Sequence, residues 1–223
     1  MRQLILSKSK RKYMKKGNLI THAYPDSIIA DQFRTIRSNM KFLTNNPNHR
    51  IFLFTSVGSG EGTSTAISNL AVTMAKQNEK VLLIDANLRS PAVQSVFKKE
   101  KSLGLTNLLT KDLTWSSVIN QTGIGELDIL TSGSSIFNPA EIVESAKMQE
   151  LLKEFKTIYD VILIDSPTIL KYTETRLLAN YSDGVVLLVG RGKTDLEDVI
   201  EAKRVLELAK ANVMGVIINE KYK

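Results

Sequence analysis

One stretch, Thr55-Ser56-Val57-Gly58-Ser59-Gly60-Glu61-Gly62-Thr63-Ser64-Thr65, constrains this chain more than any other. A short apolar run, Ile51-Phe52-Leu53-Phe54, precedes it, and Ile67, Leu70, Ala71 and Met74 follow at helical spacing. Strand, glycine-rich turn and helix in that order are the setting of a phosphate-binding loop. Glycine lets successive backbone amides turn inward around an anion. The helix that starts near Thr63 adds unpaired N–H groups and the positive end of its dipole. The loop departs from the Walker A pattern G-x-x-x-x-G-K-[ST]. Gly62 and Ser64 fit, but Val57 stands at the first glycine and Thr63 at the lysine.

The remaining chain repeats the same alternation. Val81 to Asp85, Leu127 to Thr131, Val161 to Asp165, Gly184 to Val189 and Val213 to Ile218 are apolar runs of strand length. Between them lie stretches with helical periodicity. Ile29, Phe33, Ile36, Met40 and Leu43 form one stripe, capped by Asp26 or Ser27 and closed by Asn45 to Asn48 with Pro47. Pro139 opens a helix carrying Ile142, Val143, Met148, Leu151 and Leu152. Thr194 caps another carrying Leu196, Val199, Ile200, Val205, Leu206 and Leu208. Continuous apolar strands are covered on both faces, so the expected fold is α/β, a doubly wound, mainly parallel sheet in a three-layer α/β/α sandwich. Ligands of such sheets bind beyond the carboxyl ends of the strands. Thr55, Asp85, Asp165 and Asn219 all stand at those ends, around one crevice.

In that crevice Gly60, Glu61, Gly62, Thr63, Ser64 and Thr65 are expected to cradle phosphates, with Asn219 beside them. Ser64 holds the hydroxyl position that ligates magnesium in phosphate-loop proteins. Asp165 closes its strand in the Walker B manner, and Asp85 supplies a second acid for the metal.

Charge is unevenly distributed. Arg2, Lys8, Lys10, Arg11, Lys12, Lys15 and Lys16 lie in the first sixteen residues without an acid among them. Setting these seven aside from 30 basic residues leaves 23 against 23 acidic ones, a neutral remainder. The expected division is a basic arm over residues 1–24 and one domain over 25–223. Such an arm suits an anionic membrane surface or an acidic partner. Nucleic acid is not expected, because no basic patch continues into the domain. There are no cysteines, so thiolate metal sites are excluded. His22 and His49 are not clustered, and no run approaches the ~20 apolar residues needed to span a bilayer. The basic start lacks a signal peptide's apolar core. A cytoplasmic location is expected.

The segment Asp85-Ala86-Asn87-Leu88-Arg89-Ser90-Pro91 resembles the A′ motif, D-x-D-x-R, of the bacterial tyrosine kinases that regulate capsule and exopolysaccharide synthesis. The resemblance runs from about Ile28 to Asn219. It includes Gly60-Glu61-Gly62, Asn69-Leu70-Ala71, Gly104-Leu105, Asn138-Pro139-Ala140-Glu141, Ile164-Asp165-Ser166-Pro167 and Gly192-Lys193-Thr194. It implies a phosphate-loop kinase domain that binds ATP and Mg2+ and phosphorylates tyrosines under a membrane activator of the polysaccharide co-polymerase type. It also implies a homo-oligomeric ring joined through a helix E-x-x-R-x-x-R, to which Asp31, Arg34 and Arg37 correspond with Asp for Glu.

Two departures bear on catalysis. Thr63 replaces the loop lysine, and Asn87 replaces the second acid of the A′ motif, a candidate base for the tyrosine hydroxyl. Of the catalytic segment Asp85, Asn87 and Arg89, the middle member cannot usefully accept a proton near neutral pH. Loss of one preorganised charge-stabilising group costs about 3–4 kcal/mol of barrier. The expected protein is an ATP-binding member with impaired phosphotransfer. The alternatives are an active kinase with a cation supplied from elsewhere, such as Arg89, and a partitioning-type ATPase. The second of these carries an additional lysine where this chain has Val57 or Gly58.

Overall fold

The computed structural model describes residues 19–44, 50–100 and 103–220. The basic residues of the arm up to Lys16, the Asn45–Asn48 closure and His49 lie outside them.

Seven strands form one sheet in the order β3-β4-β2-β5-β1-β6-β7. They are β1 (Ile51–Ser56), β2 (Val81–Asp85), β3 (Asn120–Gln121), β4 (Leu127–Leu130), β5 (Val161–Asp165), β6 (Gly184–Gly190) and β7 (Val213–Asn219). All pairs are parallel except β3 with β4. β5 therefore inserts between β1 and β2, and the register sets Asp85 beside Asp165 at the carboxyl edge.

The central strands β1, β2, β5 and β6 are buried on both sides, which gives two cores. Beneath one face Leu53, Leu82, Ile84, Ile162, Ile164 and Leu187 meet the helices α5 (Leu105–Thr110), α6 (Pro139–Glu144), α7 (Ala146–Ile158), α8 (Thr173–Tyr181) and α9 (Leu196–Leu208). On the other, Phe52, Phe54, Leu83, Leu163 and Leu188 meet α2 (Ile28–Leu43), α3 (Thr63–Ala75) and α4 (Val93–Val96). This is the three-layer arrangement expected. Among the described residues no helix is long and apolar enough to cross a membrane.

Several expectations need correction. A short helix α1 (Ile20–Ala23) precedes Tyr24, with Ile20 and Thr21 buried. Thr21 is hydrogen-bonded to Asn69 of α3 through its amide and its hydroxyl, at 3.0 and 3.1 Å. The packed domain thus already includes residues 20–23, ahead of the boundary at residue 25. Of the two cap candidates for α2, Ser27 is the one that fills the role, accepting from the Ala30 amide. The helix opened by Pro139 is two helices, broken at Ser145, whose ψ of 147° is extended. Thr194 does not cap α9, because Asp195 occupies the cap position. The apolar stripe of α9 is only partly internal, with Ala202, Val205 and Leu206 buried but Leu196, Ile200 and Leu208 exposed. Val216 and Ile218 of the edge strand β7 are also exposed, so that strand lacks the two-sided cover expected of it.

Candidate functional site

The site is built on the turn between β1 and α3. Ser56 to Gly62 leave the sheet as a tight loop, with Gly60 at φ 71° and Gly62 at φ 94°. Those angles are costly for any residue with a Cβ. At Gly62 space is also closed, since a Cβ would stand 2.4 Å from the Asn219 Nδ2. Gly62 occupies the N-cap position of α3 and no side chain caps that end. The first amides of the helix, at Thr63, Ser64 and Thr65, thus have no partner four residues back and present an anion-binding surface.

The loop is fastened from behind. Glu61 is buried, and its carboxylate accepts from the Val57 amide at 3.1 Å and from the Thr194 hydroxyl. The Gly190 amide donates in turn to Thr194 Oγ1 at 3.1 Å. Asn219 Nδ2 donates to the Glu61 carbonyl at 2.6 Å, and Lys193 Nζ donates to the Ser59 carbonyl. Glu61, expected among the cradle residues, therefore turns its side chain away from the crevice and holds the loop's curvature. Asn219 lies against the loop backbone.

Two strand-end carboxylates complete the centre. Asp165 is fully buried, and one oxygen accepts from the Ser64 hydroxyl at 2.5 Å. Its other oxygen, Oδ1, is buried without a partner. Burial holds this carboxyl well above the ordinary range, helped by the neighbouring Asp85 charge and opposed by the Ser64 hydrogen bond. An unpaired buried oxygen beside a serine hydroxyl is the donor set that a hard divalent cation takes. Ser64 and Asp165 fit Mg2+ on that ground.

Asp85 is arranged differently. One oxygen accepts from the Asn87 amide at 3.2 Å, and the other from the Ala92 and Val93 amides at 3.0 Å each. It thereby anchors the start of α4. Burial still pushes its pKa up to about 7, against the three backbone donors. Both oxygens thus accept from backbone amides, whereas Asp165 keeps one oxygen without a hydrogen-bond partner.

Asn87 is half-buried, and its Oδ1 accepts from the Ser90 amide at 3.1 Å. Arg89 forms an ion pair with Glu174 of α8, Nε to Oε1 at 2.7 Å, and lies over the Tyr172 ring at 5.0 Å. Glu174 is buried, so this pair holds the guanidinium against α8. Thr63 is buried at the helix start. Of the α2 trio, Asp31 and Arg34 are an exposed ion pair at 2.5 Å, whereas Arg37 turns toward α3 and donates to the Thr73 carbonyl at 3.3 Å. Sequence reading gave no role to Glu174 or Lys193. The Gly192-Lys193-Thr194 turn after an apolar strand was the available signal for the second, and nothing marked the first.

A family model described as an AAA domain matches residues 49–212. The tyrosine-protein kinase YwqD of Bacillus subtilis is 40% identical over 204 residues, covering 92% of this chain and 86% of that protein. The solved structure of the chimerical protein CapA2B2 superposes with a TM-score of 0.87 at 32% identity, covering 92% of this chain and 90% of the other. The septum site-determining protein MinD of Pyrococcus horikoshii, solved with Mg-ADP, superposes less closely. Its TM-score is 0.65 at 25% identity, over 76% of this chain and 69% of that one.

Proposed function

The chain belongs to the bacterial tyrosine-protein kinase family, and from that premise we propose that it binds Mg2+ and ATP but transfers phosphate poorly. Its setting on this reading is the regulation of capsule or exopolysaccharide synthesis, at the inner face of the membrane, beside a membrane activator. The observation that carries the reading is the contrast within one loop. Thr63 stands at the lysine position, while one residue on Ser64 still pairs with Asp165, whose second oxygen is open.

The chain's own groups divide the work. Backbone amides of the loop and of the first turn of α3 hold the phosphates. Ser64 and Asp165 hold the metal, which when bound neutralises phosphate charge. Glu61, Thr194 and Asn219 keep the loop curved before any ligand arrives. What is missing is a fixed cation at residue 63 and a base at residue 87. A neutral Asn87 amide leaves the tyrosine proton without an acceptor at that position. Self-association through α2 belongs to the same reading, with the exposed Asp31–Arg34 pair as its contact. Arg37, turned to Thr73, is less available for it.

The test is a titration with a fluorescent ATP analogue and Mg2+, with phosphotyrosine read on the same samples. Native protein, Thr63→Lys and Thr63→Lys/Asn87→Asp are compared. Native protein is expected to bind without phosphorylating, and the double variant to gain phosphotyrosine. Native turnover in the usual kinase range of about 1–100 per second would overturn the impairment. No binding by any variant would overturn the nucleotide reading itself.

A further inference from the structure

The phosphate loop lacks its own cation, yet another element presses an ammonium group against it. Lys193 lies in the turn that leaves β6, and its Nζ donates to the carbonyl of Ser59. The same Nζ lies 3.6 Å from where a Cβ on Gly60 would stand. The next residue, Thr194, is bonded to both Glu61 and the Gly190 amide. The turn is therefore fixed to the loop at neighbouring points, and the ammonium sits at the loop's lip instead of sweeping through solvent.

Three other cations near this edge of the sheet are engaged elsewhere. Arg89 is held by Glu174, and Arg191 pairs with Glu220 at 3.1 Å. Lys171 lies over the Tyr172 ring at 5.3 Å. Lys193 differs in that its partner is the phosphate loop itself. A lysine ammonium has three N–H donors. With one on Ser59, two remain for oxygens of an anion held by the adjacent amides, and hydrogen bonds from a charged donor are the stronger kind.

We propose that Lys193 is the basic residue that contacts the phosphates of the bound nucleotide in this chain, doing from the β6–α9 turn what a lysine at residue 63 would do from within the loop. This rests on the nucleotide-binding reading above and names the group that makes such binding workable without the loop lysine.

A purely positional role, tethering Ser59 and nothing more, gives a different result in a double-mutant cycle. Binding of Mg2+ and a fluorescent ATP analogue is measured for native protein, Lys193→Met, Thr63→Lys and the Thr63→Lys/Lys193→Met combination. Lys193→Arg is the conservative control, and melting temperatures verify that each variant folds. Lys193→Met is expected to weaken binding by at least tenfold in the native background. In the Thr63→Lys background, where a second cation is present, it should weaken binding by no more than two- to threefold. Lys193→Arg should stay within threefold of native. An equal loss in both backgrounds would mean that Lys193 only tethers the loop, and would overturn the proposal. So would an unchanged affinity for Lys193→Met. If native protein fails to bind at all, the nucleotide reading fails first, which is a distinguishable outcome.

Discussion

Asp165 is placed where a carboxylate can ionise only at a cost. Burial and the adjacent Asp85 both favour its protonated form, and Asp85 itself titrates at about 7 instead of the ordinary 3.8. Protons are thus bound more tightly by the folded metal-free protein than by the unfolded chain. The sign follows from linkage: the Asp85 share of this stability is complete below about pH 3.8 and is lost as pH rises through about 7, and the Asp165 share has the same sign. Asn at residue 165 carries no proton to lose and can still accept from Ser64. In EDTA, the melting temperature of Asp165→Asn relative to native should therefore rise between pH 5.5 and pH 8. Each kcal/mol corresponds to roughly 2–4 °C for a chain of this size, so the relative gain should reach several degrees. Mg2+ should recover native stability at pH 8 and much less at pH 5.5, with no such effect on the variant. A difference between the two proteins that stays constant across this range would show that Asp165 keeps an ordinary titration.

At the scale of elements, α1 offers the sharpest test of how the domain is closed. Thr21 meets Asn69 through its amide and hydroxyl, and Lys76 Nζ donates to the Thr21 carbonyl at 3.1 Å. Thr21→Val keeps the shape and removes the hydroxyl donor. A buried hydrogen bond lost in this way costs about 1–2 kcal/mol, so melting should fall by roughly 2–8 °C. An unchanged melting temperature would mean that α1 is frayed in solution and adds nothing to the fold. Six of the seven strands and α2, α3 and α9 were legible because their apolar residues recur with the right period. The elements that escaped did so for physical reasons. α8 is short, and it buries Glu174 and Thr175, so polar residues interrupt the stripe that would reveal it. β3 has only Asn120 and Gln121. The break at Ser145 has neither proline nor glycine to announce it. Leu196, Ile200, Val216 and Ile218 read as core because hydrophobicity says nothing about which faces an edge strand and its helix leave uncovered. The site divides in the same way. Asp85 and Asp165 could be placed from strand ends alone, and Ser64 from the glycine-rich loop that follows β1. Lys193 meets Ser59 across 134 positions of sequence, a contact that exists only once β6 lies beside β1.

For the whole molecule, the decisive asymmetry is electrical. The net charge of +7 equals the seven basic residues among the first sixteen, and the remainder is balanced. A balanced domain has little reason to approach an anionic surface, whereas each Lys or Arg near one is worth about 1 kcal/mol. The attraction also decays over a Debye length, about 8 Å at physiological salt, so it acts only once the chain is already close to the membrane. On the proposed reading the arm is an auxiliary contact, one that would raise the time spent beside a membrane partner. Removal of residues 1–18 should leave nucleotide affinity unchanged, because Ser64, Asp165 and Lys193 are all carried by the domain. The same deletion should reduce co-sedimentation with phosphatidylserine-containing vesicles by at least tenfold at low salt. Binding of the full chain should fall steeply as salt is raised, and neutral phosphatidylcholine vesicles should retain neither protein. Equal retention of the truncated chain on anionic vesicles would assign the attraction to the domain surface and remove the arm from any role in membrane approach.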